Sequence, residues 1–256
     1  MAGLKEITDY LDGLLELERF GADSSNNGLQ VEGAPDVERV VFGVDASLAL
    51  FEAAIDADAD MVFTHHGLSW GDGFRRVVGI DSARFAALLA NGISLYSAHL
   101  PLDAHPEVGH NAVIADGLGL LERRPFAEYA GVEIGVAGTL EKSMSVADFA
   151  SALRNVLGCG EIALFHGEDV GNVSSVGVIS GGAGSDGALA AANEGLDCLV
   201  TGEIGHSSWH VVRESGVAVL AAGHYATEKP GVLAVMDRIA SEFDVEVAFA
   251  DIPTGL

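Results

Sequence analysis

Along this chain short apolar runs alternate with Ala-rich stretches of helical period. The runs are five to eight residues long and end at Gly, Asp or Ser, which suits strands and falls far short of the ~18 residues of a membrane span. Strands are expected at 39–44, 60–64, 93–98, 132–139, 174–180, 197–201, 217–222 and 245–249. Helices are expected at 3–19, 47–57, 81–91, 108–118, 145–157, 185–195, 204–214 and 229–242. This alternation predicts an α/β fold of mixed sheets flanked by helices. The opening MAGLKEITDYLDGLLELERF threads acids through its apolar period, so it reads as a helix of the mature protein and not a signal peptide.

Two stretches repeat one another. Val41-Phe-Gly-Val-Asp-Ala-Ser47 leads through a helix to Asp60-Met-Val-Phe-Thr-His-His66, and Val178-Ile-Ser-Gly-Gly-Ala-Gly184 leads to Asp197-Cys-Leu-Val-Thr-Gly-Glu203. The offset is a constant 137, so Thr64 falls on Thr201 and His66 on Glu203. Further on, Gly92 to Asp103 resembles Gly216 to Glu228 at an offset of about 125, with one residue inserted before the second His. Each half reads as strand, helix, strand ending in Thr and polar residues, helix, then strand ending in His-x3-acid. Internal duplication explains this; chance likeness of two βαβ units is the alternative. The polar clusters fall at the carboxyl ends of strands, where ligands collect in open α/β sheets.

Composition narrows the function. The chain has 256 residues, 49% of them hydrophobic, with 38 acids against 13 bases and a formal charge of −25. The adjacent basic pairs are Arg75-Arg76 and Arg123-Arg124, which argues against binding a nucleic-acid polymer. Few Lys and many Asp, with Ala and Gly used freely, suggest a halophilic protein whose surface repulsion is screened by salt. Cys159 and Cys198 lie far apart without CxxC spacing, pointing to free thiols in a reducing cytoplasm and to metal ligands that are imidazole and carboxylate.

His65 and His66 directly follow the apolar strand Met-Val-Phe-Thr. Adjacent side chains on an extended backbone point to opposite sides, so two ions, or one ion and one substrate contact, suit the pair better than a single ion. Asp103 and Glu228 add oxygen donors and His224 a third imidazole, a set that suits Zn, Mn, Fe, Co or Ni above Mg or Ca. A His pair after a strand equally describes a hydrogen-bonded loop start; the recurrence of His-x3-acid shifts the balance. A two-metal centre drives hydrolysis by activating water. His99 is then the acid/base or outer residue, or a structural partner of Asp103. Glu203 and His206 line the cleft or serve as surface and cap residues. His105, His110, His166 and His210 stay unassigned. Gly181-Gly-Ala-Gly184 is an anion turn or a plain tight turn. Ser25-Asn-Asn-Gly-Leu-Gln30 is turn-rich, with amides that could reach a strand-end cleft. No GxSxG is present, and neither Cys has a His at a helpful spacing.

These motifs resemble the YbgI-type, Nif-three-like dinuclear-metal family often labelled GTP cyclohydrolase I type 2 homologue. The likeness runs through Asn26-Asn-Gly-Leu-Gln-Val-Glu-Gly33, Thr64-His-His-Gly67, His99-Leu-Pro-Leu-Asp-Ala-His-Pro-Glu107, Thr201-Gly-Glu203, Ala222-Gly-His-Tyr-Ala-Thr-Glu228 and Asp251-Ile-Pro253. The resemblance implies two intertwined three-layer α/β domains of similar topology. Residues 1–125 with 220–256 would form the metal-binding domain, and 126–219 a second domain inserted in it. It further implies a toroidal homohexamer with two divalent ions per subunit. His65, His66, Asp103, His224 and Glu228 would be ligands, Glu228 shared between ions beside a bridging water, with His99 in the cleft. One departure is His110 of Gly109-His-Asn111, where relatives usually carry a small or amide residue. The function so implied is hydrolysis of a small, nucleotide-like substrate, with His99 and Glu228 catalytic and a possible role in processing damaged nucleotides. A non-catalytic metal-delivery scaffold or adaptor acting through partner proteins is the other reading.

Overall fold

The computed structural model describes residues 1–165 and 171–255. The chain forms two compact units, Met1–Leu102 with Val232–Ile252 and Asp103–Gly231 with Pro253–Leu256. In chain order the elements are β1 (Ala2–Gly3), α1 (Leu4–Leu14), β2 (Gly28–Val31), β3 (Asp36–Val37), β4 (Arg39–Asp45), α2 (Leu48–Asp56), β5 (Met61–His66), α3 (Ile80–Ala90) and β6 (Ser94–Ser97). There follow α4 (Leu100–Ala104), α5 (His110–Gly117), β7 (Leu121–Tyr129), β8 (Val132–Ser145), α6 (Val146–Leu157), β9 (Ala163–Phe165) and β10 (Asn172–Ile179). The last are α7 (Gly184–Asn193), β11 (Cys198–Thr201), α8 (Trp209–Ser215), β12 (Ala218–Ala221), α9 (His224–Glu242) and β13 (Glu246–Phe249). All eight expected strands form, and no helix among the described residues is long and apolar enough to cross a membrane.

The first unit is built on a five-stranded sheet in the order β13-β4-β5-β6-β2, parallel except for β2. Its central strands are apolar on both faces, as a covered parallel sheet requires. Registered neighbours Val41, Val62 and Leu95 face the core with Leu50, Phe51 and Ala54 of α2 and Leu88 of α3. One residue along, Phe42, Phe63 and Tyr96 form a ladder of rings with centroids 5.4 and 5.8 Å apart. Each such side chain is fully buried, worth roughly 1.5–3 kcal/mol relative to exposure. The Tyr96 hydroxyl donates to Asp12 of α1 at 2.9 Å. Helix α1 itself buries Leu4, Ile7, Thr8 and Leu11, one face at helical spacing.

The second unit carries a six-stranded sheet in the order β7-β8-β10-β11-β12-β9. Here β10, β11 and β12 are parallel, and β8 and β9 flank them antiparallel. Period-two alternation sorts the core into two layers. Val176, Val178, Cys198, Val200, Ala218 and Leu220 pack with Phe149 and Leu153 of α6. Ile179, Leu199 and Val219 pack with Ala188 and Ala191 of α7 and Val212 of α8. The edge strand β7 contains Pro125, shifts register between Leu121 and Arg124, and holds Glu122 and Ala127 at φ of 49° and 60°.

The internal repeat is therefore a repeat of structure. Strands β4-β5-β6 and β10-β11-β12 are both parallel triplets linked by helices, each closed on its outer side by an antiparallel strand. A detail outside the sequence argument reinforces this. Asp60 Oδ2 accepts from the amides of Glu38 and Arg39 at 2.7 and 3.0 Å, and Asp197 Oδ2 from those of Ser174 and Ser175 at 2.8 and 2.9 Å. In each half an aspartate before the second strand satisfies amides at the start of the first.

Four features differ from expectation. Five strands the sequence reading did not expect are present: β1 and β3 have two residues each, β2, β7 and β9 lack clean alternation, and all five take their pairing from neighbours. The first helix stops at Leu14 and continues as a 3-10 turn at Leu17–Phe20 beyond Glu16, whose φ is 49°. Helix α9 begins at His224, five residues before the expected 229, and contains Pro230. Residue Pro230 reads as a helix start because it has no amide hydrogen; here it lies in the second turn. Residue Asp103 lies on the short helix α4, an element the periodicity did not reveal.

Replacing Asp197 by Ala removes three hydrogen bonds, from the Ser174 and Ser175 amides and the Ser175 hydroxyl. The expected loss is about 1–3 kcal/mol of unfolding free energy, read from urea titration, with Asp197→Asn losing less because one acceptor oxygen remains.

Candidate metal-binding residues

In the first unit His65 and His66 are the last two residues of β5. The histidine His65 is fully buried, while the His66 side chain is 21% exposed. Their directions diverge less than an extended backbone suggests, for the ring centroids are 4.5 Å apart. The cause is two different neighbours. His65 Nδ1 lies 2.9 Å from the carbonyl of Ala98 beyond β6. His66 Nδ1 lies 2.8 Å from Asp45 Oδ1 at the end of β4, where Asp45 and His66 are registered partners. Residue His99, just past β6, completes a cluster in which one nitrogen from each ring lies within 4.8 Å of the others. His99 Nδ1 is 2.9 Å from Asp23 Oδ1.

The three rings share one device. Each Nδ1 faces a protein acceptor, so in the neutral ring Nδ1 carries the proton and the lone pair is on Nε2. An acceptor behind each imidazole fixes its rotation and raises the basicity of the outward nitrogen, as metal-ligating histidines require.

The turn-rich segment before β2 does reach this strand end. Asn27 Oδ1 accepts from the His99 amide at 2.7 Å, and Gln30 Oε1 from the amides of Leu68 and Ser69 at 2.7 and 3.0 Å. A Cβ on Gly67 would run into the Gln30 amide, so this close approach needs glycine. The Asp23 side chain is fully buried and accepts from Ser25 N, Asn27 Nδ2, His99 and Leu100 N. Burial works to raise its pKa, but the hydrogen bonds from His99, Asn27 and the Ser25 amide outweigh it and hold the carboxyl below its usual range.

In the second unit Asp103 Oδ1 accepts from the Ser180 hydroxyl at 2.7 Å. Asn111 fastens this corner, donating to the carbonyls of Asp103 and Ile134 at 3.2 and 2.8 Å and accepting from Ser180 N at 2.7 Å. Residues His224 and Glu228 lie one turn apart on α9, with His224 Nε2 3.1 Å from Glu228 Oε1. His224 Nδ1 is 3.2 Å from Glu203 Oε1. The hydrogen bond to Glu228 leads in pushing the His224 pKa up to about 9, against burial and with help from Glu203. A metal at His224 must displace that proton, as binding to a histidine generally does.

The remaining candidates divide clearly. The Gly181 turn is a tight turn: its carbonyl accepts from the amides of Gly202 and Glu203 at 2.8 and 2.9 Å and its amide donates to Thr227 Oγ1 at 3.0 Å. It lies against the Glu228 carboxylate, which a Cβ there would displace, and its φ of 64° favours glycine; the carboxylate makes it a poor setting for an anion. Residue His110 is buried, and its Nδ1 accepts from Gly231 N at 3.0 Å, leaving the ring proton on Nε2. The His105 ring accepts from the amides of Glu107 and Val108 at 3.1 and 3.0 Å. Residues His206 and His210 are exposed, and His166 lies outside the described residues.

The partners missed by sequence reasoning are Asp23, Asp45, Ser180 and Asn111. A signal existed for Asp45, the acid ending the repeated Val41–Ser47 motif, but its role emerges only once β4 and β5 are in register. Donor chemistry fits a borderline transition metal: imidazole nitrogens with fixed tautomers in one unit, and an aspartate and a His–Glu pair in the other.

A family model described as Duf34/NIF3 (NGG1p interacting factor 3) matches residues 2–255. An Archaeoglobus fulgidus protein named GTP cyclohydrolase 1 type 2 homolog is 42% identical over 253 residues, 99% of each chain. A Halobacterium salinarum protein of the same name is 42% identical over 256 residues, again covering 99% of each. Among solved structures, the protein ybgI, of unknown function, superposes with a TM-score of 0.91 at 35% identity, covering 100% of both chains.

Asp23→Asn brings an amide group against donors that the carboxylate accepts, with an expected cost of about 1–3 kcal/mol at neutral pH. Because the folded pKa is depressed, the stability it contributes is present above the unfolded value of about 3.9 and lost as pH falls through the folded one. Urea titrations at pH 7 and below about pH 3 are expected to show the gap between variant and wild type closing in acid.

Proposed function

Since the chain belongs to the Duf34/NIF3 family, we propose that it is a dinuclear metal-dependent hydrolase of a small, nucleotide-like molecule, with His65, His66, Asp103, His224 and Glu228 holding two divalent ions. The observation that carries the reading is the fixed tautomer of the strand-end histidines, each with Nδ1 against a protein acceptor. The chemistry that such an ion pair supplies when bound is activation of water for hydrolysis without a covalent nucleophile.

The chain's own residues divide the remaining work. Ala98 O and Asp45 orient His65 and His66. Residue Glu228 offers carboxylate oxygens from the second turn of α9, and Ser180 steadies the Asp103 carboxylate. Residue His99, backed by the buried Asp23 carboxylate, holds or moves a proton at Nε2, because the Asp23 contact keeps Nδ1 protonated. On the same reading chains of 26.4 kDa assemble into toroidal hexamers in the cytoplasm, and the charge of −25 is an adaptation to high salt.

Elemental analysis of purified protein is expected to find two divalent ions per chain. His66→Ala and Glu228→Gln should each lower that content, and Asp45→Asn should weaken metal affinity about 10–100-fold. In a panel of nucleotides, phosphoesters and cyclic amides, wild type should turn over at least one class. That activity should vanish on chelation, return with Zn or Mn, and fall about 10²–10⁴-fold in His99→Ala with metal content intact. A fully loaded protein inert on the whole panel would sink the hydrolase reading in favour of a metal-delivery role.

The salt reading has its own check. The thermal unfolding midpoint is expected to rise steadily between about 0.1 and about 3 M KCl, as the screening length shrinks to about 3 Å or less. A flat profile would remove it.

A further inference from the structure

The segment after the His pair holds an aromatic side chain in an unusual position. Residue Trp70 is 37% exposed, yet its ring sits edge to face on His99, with centroids 5.1 Å apart and planes at 71°, and lies 6.1 Å from His66. Its Nε1–H donates to the carbonyl of Gly67 at 2.9 Å. The backbone is fixed too: Asn26 N donates to Ser69 O at 3.0 Å, Gly71 N donates to Ser24 O at 2.7 Å, and Ser25 bridges Trp70 between them. An indole left partly in water with its orientation set from three sides is a surface prepared for another ring, since little freedom remains to be lost on stacking.

Two neighbours extend this surface. The residue opposite Trp70 in the bridge, Ser25, is 4% exposed, and its hydroxyl has no hydrogen-bond partner among the described residues. A buried hydroxyl without a partner is unfavourable, so the position suits a polar edge brought in by a ligand. Beyond Gly71 and Gly73, both at positive φ, come Arg75 and Arg76, both exposed. In this unit Lys5, Arg19 and Arg39 each make a close ion pair with a carboxylate. By contrast Arg75 has Asp72 at 4.0 Å, and Arg76 has no ion pair among the described residues. A chain with a formal charge of −25 repels anions at long range. Arg75 and Arg76 follow Trp70 by five and six residues and bring two positive charges to this segment, and guanidinium is a side chain suited to pairing with phosphate.

We infer that Trp70 is the stacking platform for a planar nucleobase, that Ser25 meets the polar edge of its ring, and that Arg75 and Arg76 draw its phosphate. The ligand class is a nucleoside monophosphate or a close relative. The inference rests on the nucleotide-like reading above for its choice of ring and specifies the residues that would select it. It assigns Trp70 a binding role distinct from that of the histidines beside it.

The protein has two tryptophans, so Trp209→Phe leaves Trp70 as the sole indole fluorophore. With metal-loaded Trp209→Phe protein, guanosine 5′-monophosphate is expected to quench emission saturably, guanosine to quench with weaker affinity, and inorganic phosphate to leave it unchanged. Replacing Arg75 and Arg76 by Ala should weaken the monophosphate about tenfold and leave guanosine where it was. By calorimetry, Trp70→Leu in the otherwise native chain should bind the monophosphate about tenfold or more weakly, the range for loss of one base–aromatic stack. Its metal content and unfolding midpoint should be unchanged, separating lost stacking from misfolding. Absence of quenching by the monophosphate, equal quenching by phosphate, or native affinity in Trp70→Leu would each overturn the inference. Elemental analysis of the same samples keeps the two ideas apart. Loaded metal without a monophosphate response defeats only the stacking platform, whereas a monophosphate response in protein that takes up no metal defeats only the dinuclear centre.

Discussion

The parallel register of β4, β5 and β6 is the constraint on which the histidine cluster depends. Because Asp45 pairs with His66 and Thr64 with Ser97, three strand ends finish level and their polar side chains emerge together. A slip of one residue would turn every side chain of β5 to the opposite face. It would send His65 and His66 away from Ala98 and Asp45 and break the aromatic ladder of Phe42, Phe63 and Tyr96 at once. Core packing and imidazole orientation are thus set by the same backbone pairing. Precision at the strand ends follows from the apolar layers beneath them.

The two halves use one topology for different chemistry. In the first, the strand ends carry imidazoles, and the polar segment from Asp23 to Gln30 laces them together. In the second, the corresponding ends carry Ser180, Gly181 and Glu203, and the turn is stripped to glycine where Glu228 lies against it. A side chain at Gly181 would push that carboxylate away. Duplication preserved the parallel triplet and the aspartate that satisfies each opening strand, while the residues past the last carbonyl diverged. Loops tolerate such change because the sheet does not depend on them.

Much of this was legible in the residues. Most of the eight strands were readable because buried parallel strands are continuous apolar runs, and the duplication because its offset held across a strand, a helix and a second strand. The level placement of His65-His66 and His99, and that of His224 with Glu228, followed from that repeat. What stayed hidden were interactions between residues distant in sequence. Aspartates such as Asp23 and Asp45 look like any surface acid in a chain rich in them, and nothing local says that one is buried under four hydrogen bonds. The early start of α9 was hidden for the opposite reason, since Pro230 gives a strong local signal that tertiary packing overrides. Hydrogen bonding also decided between two readings of the Gly181 turn that its sequence could not separate.

One edge of the second sheet resists further growth. There β7 breaks its own ladder, with a proline and left-handed residues at Glu122 and Ala127. It does not present the flat row of amides and carbonyls that would template a strand from another molecule. Copies of this chain therefore find a poor template for backbone pairing along β7. Association there falls to side chains, which in so acidic a chain makes dissolved cations part of the adhesive.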